Sequence, residues 1–145
     1  MVARCDLAIA ADTARFSTPG VHIGLFCSTP MVALSRNVAN KHAMEMLLTG
    51  DMTSADRAAE IGLVNRSVAA EGITSEVMAL ARKIASKSVM TLATGKSAFY
   101  AQREMSLQAA YAYASQVMVD NMLAQDAEEG IGAFIEKRAP QWQDA

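Results

Sequence analysis

The chain has 145 residues, 52% of them hydrophobic and 19% charged, with a formal net charge of −2. That length is enough for one domain with a sizeable core, and the balance is that of a globular protein. A charge so close to neutral offers no field for nucleic acid, and no apolar run reaches the roughly 18 residues needed to cross a bilayer.

Residues 2–10 read as a short, mostly apolar strand suited to burial on both faces of a sheet. The opening Met1-Val2-Ala3-Arg4, ahead of Leu7-Ala8-Ile9-Ala10, imitates a secretory leader, but Asp6 breaks an apolar stretch that is already too short. After a turn at Asp12-Thr13, Ala14-Arg15-Phe16-Ser17 predicts a second strand. Pro19-Gly20 punctuates the chain, and Gly24 loosens the loop that follows. Ser28-Thr29-Pro30 reads as a helix start, with a hydroxyl cap and Pro at the first helical position. Met31, Leu34 and Val38 follow at helical spacing. A second helix covers 42–48 and closes at Thr49-Gly50. Thr53-x-x-Asp56 resembles a capping box opening a short helix to Glu60; Gly62 ends it, and 63–66 reads as extended.

From Thr74 onward the pattern is helical, with helices predicted over 75–85, 89–103 and 107–124. A last helix starts at Asp126-x-x-Glu129, carries Lys137 and Arg138 in its final turn where cations suit the dipole, and stops at Pro140. There is no internal repeat, low-complexity tract or linker. The expected architecture is α/β, with a few strands in residues 1–67 and a helical, oligomerisation-type region in 68–145. An α/β domain normally holds more strands than this, which points to sheet outside the chain.

The residues by themselves carry little chemistry. His22 and His42 stand twenty apart, outside any His-x-x-x-His or Cys-x-x-Cys arrangement, so no metal site is expected. Cys27 beside Ser28 at a helix start could have a lowered pKa, or it packs beneath the helix; no Gly-x-Ser-x-Gly elbow accompanies it. Two cysteines, Cys5 and Cys27, are too few for a disulfide framework and fit a reducing compartment. Ten Met residues describe soft packing or apolar surface meant for a partner.

Three stretches point further. They are Cys5-Asp6-Leu7-Ala8-Ile9-Ala10-Ala11-Asp12 through Phe16, then Leu48-Thr49-Gly50 through Leu63-Val64, then Glu129-Gly130-x-x-Ala133-Phe134-x-Glu136-Lys137-Arg138. In this order and spacing they resemble the second half of crotonase-superfamily proteins, the enoyl-CoA hydratases and isomerases. The resemblance runs from Val2 to Trp142 and implies that Met1 falls inside a core strand of that fold. Phe26-Cys27-Ser28-Thr29-Pro30 and the Trp142 ending are most similar to the subgroup of enoyl-CoA hydratase domain-containing protein 3.

The resemblance implies the C-terminal part of a crotonase (ClpP-like spiral) fold. It also implies an acyl-CoA thioester as substrate or ligand, no further cofactor, and a homo-oligomer, a trimer or dimer of trimers in relatives. Such proteins hold the thioester carbonyl between two backbone N–H donors, and one donor is typically worth about 3 kcal/mol. Neither donor is identifiable in this sequence. Of the two hydratase glutamates, the first would align one position before Met1, and the second matches Gly20, which has no proton to exchange. Gly20 reads equally as a simple Pro-Gly turn. Asp6 and Asp12 match structural positions, and no catalytic residue is assigned.

Gly20, Val21, Leu25, Phe26 and Cys27 fall in the loop that resembles the acyl-pocket wall. Phe134 and Lys137 match positions that in hydratases reach a neighbouring subunit's CoA, Phe134 against adenine and Lys137 towards a phosphate. Against this stand an apolar helix contact for Phe134 and a dipole-favouring surface charge for Lys137. Three functions follow as expectations: an acyl-CoA-binding hydratase/isomerase-family protein of fatty-acid metabolism, a non-catalytic interaction module, or a fragment of a longer reading frame. The compartment implied is bacterial cytoplasm or mitochondrial matrix. An N-terminal strand with unpaired edges predicts that the chain by itself is oligomeric, aggregated or partly molten.

Overall fold

The computed structural model describes residues 2–144. The chain divides into two compact units, one ending at Ala79 and the other beginning at Leu80. The first holds four short strands among its described residues, β1 (Ile9–Ala11), β2 (Arg15–Phe16), β3 (Thr53–Ser54) and β4 (Arg66–Val68). With them are α1 (Ser28–Leu34), α2 (Asn40–Thr49), α3 (Ala55–Glu60) and the start of α4 (Ile73–Ala85). The second holds the end of α4, then α5 (Val89–Gln102), α6 (Leu107–Met122) and α7 (Gln125–Glu136).

β1 and β4 run parallel, with Ile9 opposite Arg66 and Ala11 opposite Val68. Asn65 extends that pairing: its Oδ1 accepts from the Ala8 N–H and its own N–H donates to the Ala8 carbonyl, both at 2.7 Å. β2 and β3 pair antiparallel, Arg15 against Ser54 and Phe16 against Thr53. The nine-residue strand expected over 2–10 is shortened to β1. Residues Val2–Arg4 coil instead into a 3-10 turn, which the Cys5 N–H closes on the Val2 carbonyl at 2.9 Å. The expected place of Met1 in that strand lies outside the described residues.

The core of this unit is Ala10, Leu34, Val38, Ala43, Met46, Leu47, Ala55, Ala58, Leu63 and Val64. Ala55 and Ala58 are fully buried, so α3 lies close against its neighbours with no side chain beyond a methyl between them. Burial of a side chain such as Leu47 contributes about 1.5–3 kcal/mol.

Two helix starts differ from expectation by a residue or more. Cys27 is the cap position of α1 without a side-chain bond, Ser28 is the first helical residue, and Pro30 is the third. The cap of α3 is Ser54, one residue later than expected, and its hydroxyl accepts from the Arg57 N–H at 3.2 Å. α2 ends as its sequence predicts: Gly50 takes φ 68°, and its N–H donates to the Met46 carbonyl. The extended segment expected at 63–66 begins later, at Arg66, since the Leu63 and Val64 N–H groups first turn back to the Ala58 carbonyl.

In the second unit α5 and α6 start on serine caps, Ser88 and Ser106, each accepting a backbone N–H from three residues ahead. α7 corrects the reading of its ends. Its cap position is Ala124, Asp126 lies inside the first turn, and Lys137 follows the last helical residue at φ 57°. No basic side chain sits in its final turn.

Candidate functional site

The loop between β2 and α1 is built on one buried hydroxyl and one glycine. Thr18 donates its Oγ1–H to the Met46 carbonyl at 2.7 Å, tying the loop's root to α2. Pro19–Ile23 then winds one 3-10 turn, with Pro at its first position and Gly24 closing it at φ 77°. The chain doubles back so that the Leu25 N–H donates to the Gly20 carbonyl at 2.9 Å. A Cβ at Gly20 would stand 2.6 Å from the Leu25 carbonyl oxygen and 2.9 Å from Cys27 Sγ. The loop is folded onto the space a side chain would need.

This arrangement brings Gly20, Leu25 and Cys27 together. Val21 and His22 lean on α2's closing glycine, their side-chain atoms 2.9 Å from where a Cβ on Gly50 would be. The loop's outer surface is apolar, with Ile23, Leu25 and Phe26 exposed. An open groove of about 790 Å³ lies elsewhere in the same unit, between Val2–Arg4, β2 and α1. Arg4 and Arg15 stand on its lining with Phe16, Thr18, Leu34 and Met46, and none of residues 20–27 is among the groups that line it. Arg15 is turned to its own backbone, its Nη1 donating to the carbonyls of Asp12 and Ala14.

Phe134 and Lys137 belong to the second unit. Phe134, in the last turn of α7, is 84% exposed, so it is no apolar contact of the helix. Lys137 stands just past the helix end, and its N–H and that of Arg138 donate back to Phe134 and Ala133 carbonyls. The segment after it is pinned to α7 by two carboxylates. Glu129 accepts from Arg138 Nη2 at 2.9 Å and from the Gln141 N–H at 2.7 Å. These bonds hold its carboxyl down at about 2, the guanidinium having the larger effect. The same pairing, with Glu136, raises the Arg138 pKa.

Asp126, 2% exposed, accepts the N–H groups of Gln143 and Asp144 at 2.7 and 3.1 Å. The Ser88 hydroxyl is the main cause that keeps its pKa below the ordinary value. Trp142 lays its ring over Gly130 and donates Nε1–H to the Ser86 carbonyl. The sequence pattern gave Asp126 and Glu129 to helix initiation; their work is to clasp the tail that follows Lys137. The only sequence signal of this clasp is the occurrence of Glu129 and Arg138 in one motif.

Among the described residues no group of three or more His, Cys, Asp or Glu side chains could hold a metal. His42 Nδ1 lies 3.2 Å from Arg57 Nη2, a surface contact remote from the loop in sequence. Apart from the His22 imidazole, which leans on Gly50, and the Cys27 thiol, the loop offers apolar contact and a fixed backbone, without an acid or base at position 20.

The sequence profile described as enoyl-CoA hydratase/isomerase matches residues 1–145. The mitochondrial enoyl-CoA hydratase domain-containing protein 3 of Mus musculus is 51% identical over 142 residues, which is 98% of this chain and 47% of that protein. The crystal structure of an enoyl-CoA hydratase from Mycobacterium smegmatis superposes with a TM-score of 0.94 at 51% identity, over 97% of this chain and 55% of that one. The human enoyl-CoA hydratase domain-containing protein 3 gives a TM-score of 0.93 at 50% identity, over 97% and 56%. The chain spans about half the length of the curated relatives it matches. By profile, identity and α/β fold alike, the chain belongs to the enoyl-CoA hydratase/isomerase family of the crotonase superfamily, in the subgroup of enoyl-CoA hydratase domain-containing protein 3.

Proposed function

We propose that this chain contributes to binding acyl-CoA thioesters in fatty-acid metabolism, and that its 145 residues do not by themselves supply the oxyanion turn or the glutamate pair of a hydratase. The observation that carries this reading is the Pro19–Cys27 loop. It presents an apolar wall of Leu25 and Phe26, and at the position that resembles a hydratase glutamate it has Gly20. An acyl chain gains from such a wall by burial, while positioned acid–base help, generally worth about 10²–10⁴-fold, is missing at that residue. Phe134 suits the adenine face because it is held out into solvent at the end of α7. Lys137 would give a phosphate a point charge from a fixed backbone position. The ligand is acyl-CoA alone, in a homo-oligomer, with no nucleic acid or membrane as partner. Bacterial cytoplasm or mitochondrial matrix suits a chain whose two cysteines are too few for a disulfide framework.

A second reading, a non-catalytic module that docks on other subunits, is favoured by the exposed apolar residues of α6 and α7.

Calorimetric titration of the purified chain with butyryl-CoA separates the two. Saturable one-site binding is expected, weakened roughly tenfold by Phe134→Ala or by Lys137→Asn. Asn is the choice at 137 because it tolerates the left-handed backbone while removing the charge. A folded chain that binds no acyl-CoA leaves the docking module as the function. Crotonyl-CoA hydration is expected to stay at the buffer rate.

A further inference from the structure

We infer that Gly20 is the residue that determines what the Pro19–Cys27 loop can do: its missing side chain lets the loop close over position 20, and the closed loop excludes an acid from that place. This rests on the acyl-CoA reading for its chemistry, but its geometry stands alone. The Leu25 carbonyl oxygen and Cys27 Sγ occupy the room within 2.6 and 2.9 Å of a would-be Cβ. The first of these is backbone, which cannot swing aside as a long side chain can. The closure is fixed at several points by main-chain bonds, Leu25 N–H to the Gly20 carbonyl at 2.9 Å, Gly24 N–H to Val21 at 3.3 Å and Ser28 N–H to Phe26 at 2.7 Å. Thr18 at the root and Gly50 against Val21 and His22 leave the loop little freedom to shift as a body.

Position 20 is thus more than a site where a carboxylate happens to be absent. With the loop closed, even a methyl there forces the backbone at Leu25 to move. A reaction beside this loop does not draw a proton from residue 20. Gly20→Glu does not restore one in the closed loop, because the substitution opens the loop and displaces the Leu25–Phe26 wall. Gly20 acts here through the backbone it lets close, at Leu25 and Cys27.

Amide hydrogen exchange of the whole chain, without ligand, tests this directly. In Gly20→Ala and Gly20→Glu the Leu25 amide is expected to exchange about ten- to a hundredfold faster, while the α2 amides of Ala43 and Leu47 keep their rates. Cys27 should become faster to alkylate in the same two variants. Leu25 exchange within about threefold of the parent in both would overturn the inference. If the variants do not accumulate as folded protein, the unsubstituted chain decides. A protected Leu25 amide supports closure, and one exchanging at the rate of an unstructured amide defeats it. Because no acyl-CoA is present, failure here leaves the binding reading untouched, and failure of the titration leaves the loop untouched.

Discussion

Thr18 and Leu47 stabilise the first unit by different physics, and the difference is measurable. Leu47 is 1% exposed and belongs to the buried apolar core, so Leu47→Ala removes transfer energy and leaves a cavity, at about 2–5 kcal/mol. Thr18 contributes one buried hydrogen bond to the Met46 carbonyl, which also receives the Gly50 N–H at 3.1 Å. Thr18→Val keeps the shape and leaves that carbonyl one partner, so its cost should be near the net worth of a bond, about 0.5–1.5 kcal/mol. Urea denaturation at one fixed protein concentration ranks the two. A Thr18→Val cost equal to that of Leu47→Ala would mean that the loop root, and not the apolar cluster, dominates this unit.

At the level of elements, the tail after α7 behaves as a carboxylate-held strap. Both clasping groups have pKa values depressed in the folded chain, Glu129 from 4.5 to about 2 and Asp126 below its ordinary 3.8. A depressed acid stabilises the fold fully above its unfolded value, and the contribution is lost as pH falls towards the folded one. The strap should therefore stay in place at neutral pH and loosen between about pH 4.5 and 2. Trp142 is the single tryptophan, so its fluorescence reports the strap without interference. A change in that fluorescence centred above pH 6 would sink the assignment, as would an Asp126→Asn variant whose Gln143 amide stays as protected as the parent's. Much of the element order was legible beforehand. Ser88 and Ser106 mark the starts of α5 and α6, and Gly50 marks the end of α2, because caps are local chemistry. The strap was not legible, since Asp126 in a first turn looks the same whether it faces its own helix or a tail seventeen residues on. Likewise Gly20 was visible as a departure from the family pattern, but its closure depends on where the chain returns five residues later. The first strand failed for a third reason: Val2, Ala3 and Arg4 suit either state, and a turn bond to Cys5 decided it.

Across the whole molecule, apolar surface is distributed as it would be for a chain that self-associates. β1 pairs with β4 alone among the described strands, and two-stranded pairs are at best marginal by themselves. On α6, Leu107, Tyr111, Met118 and Met122 are all exposed, and their spacing places them within one stripe of the helix. Exposed Leu123, Phe134 and Ile135 follow in and before α7. Patches of this kind on soluble proteins mark surfaces that another molecule covers. We expect sedimentation equilibrium of the purified chain to give a mass above that of one 15.4 kDa chain. Placing charges on the stripe with Met118→Glu and Met122→Glu together should shift the equilibrium towards single chains while helix content holds, since Glu is as good a helix former as Met. A parent chain that sediments as a single species of one-chain mass, or a double variant that associates unchanged, would mean that the stripe serves some purpose other than contact between copies.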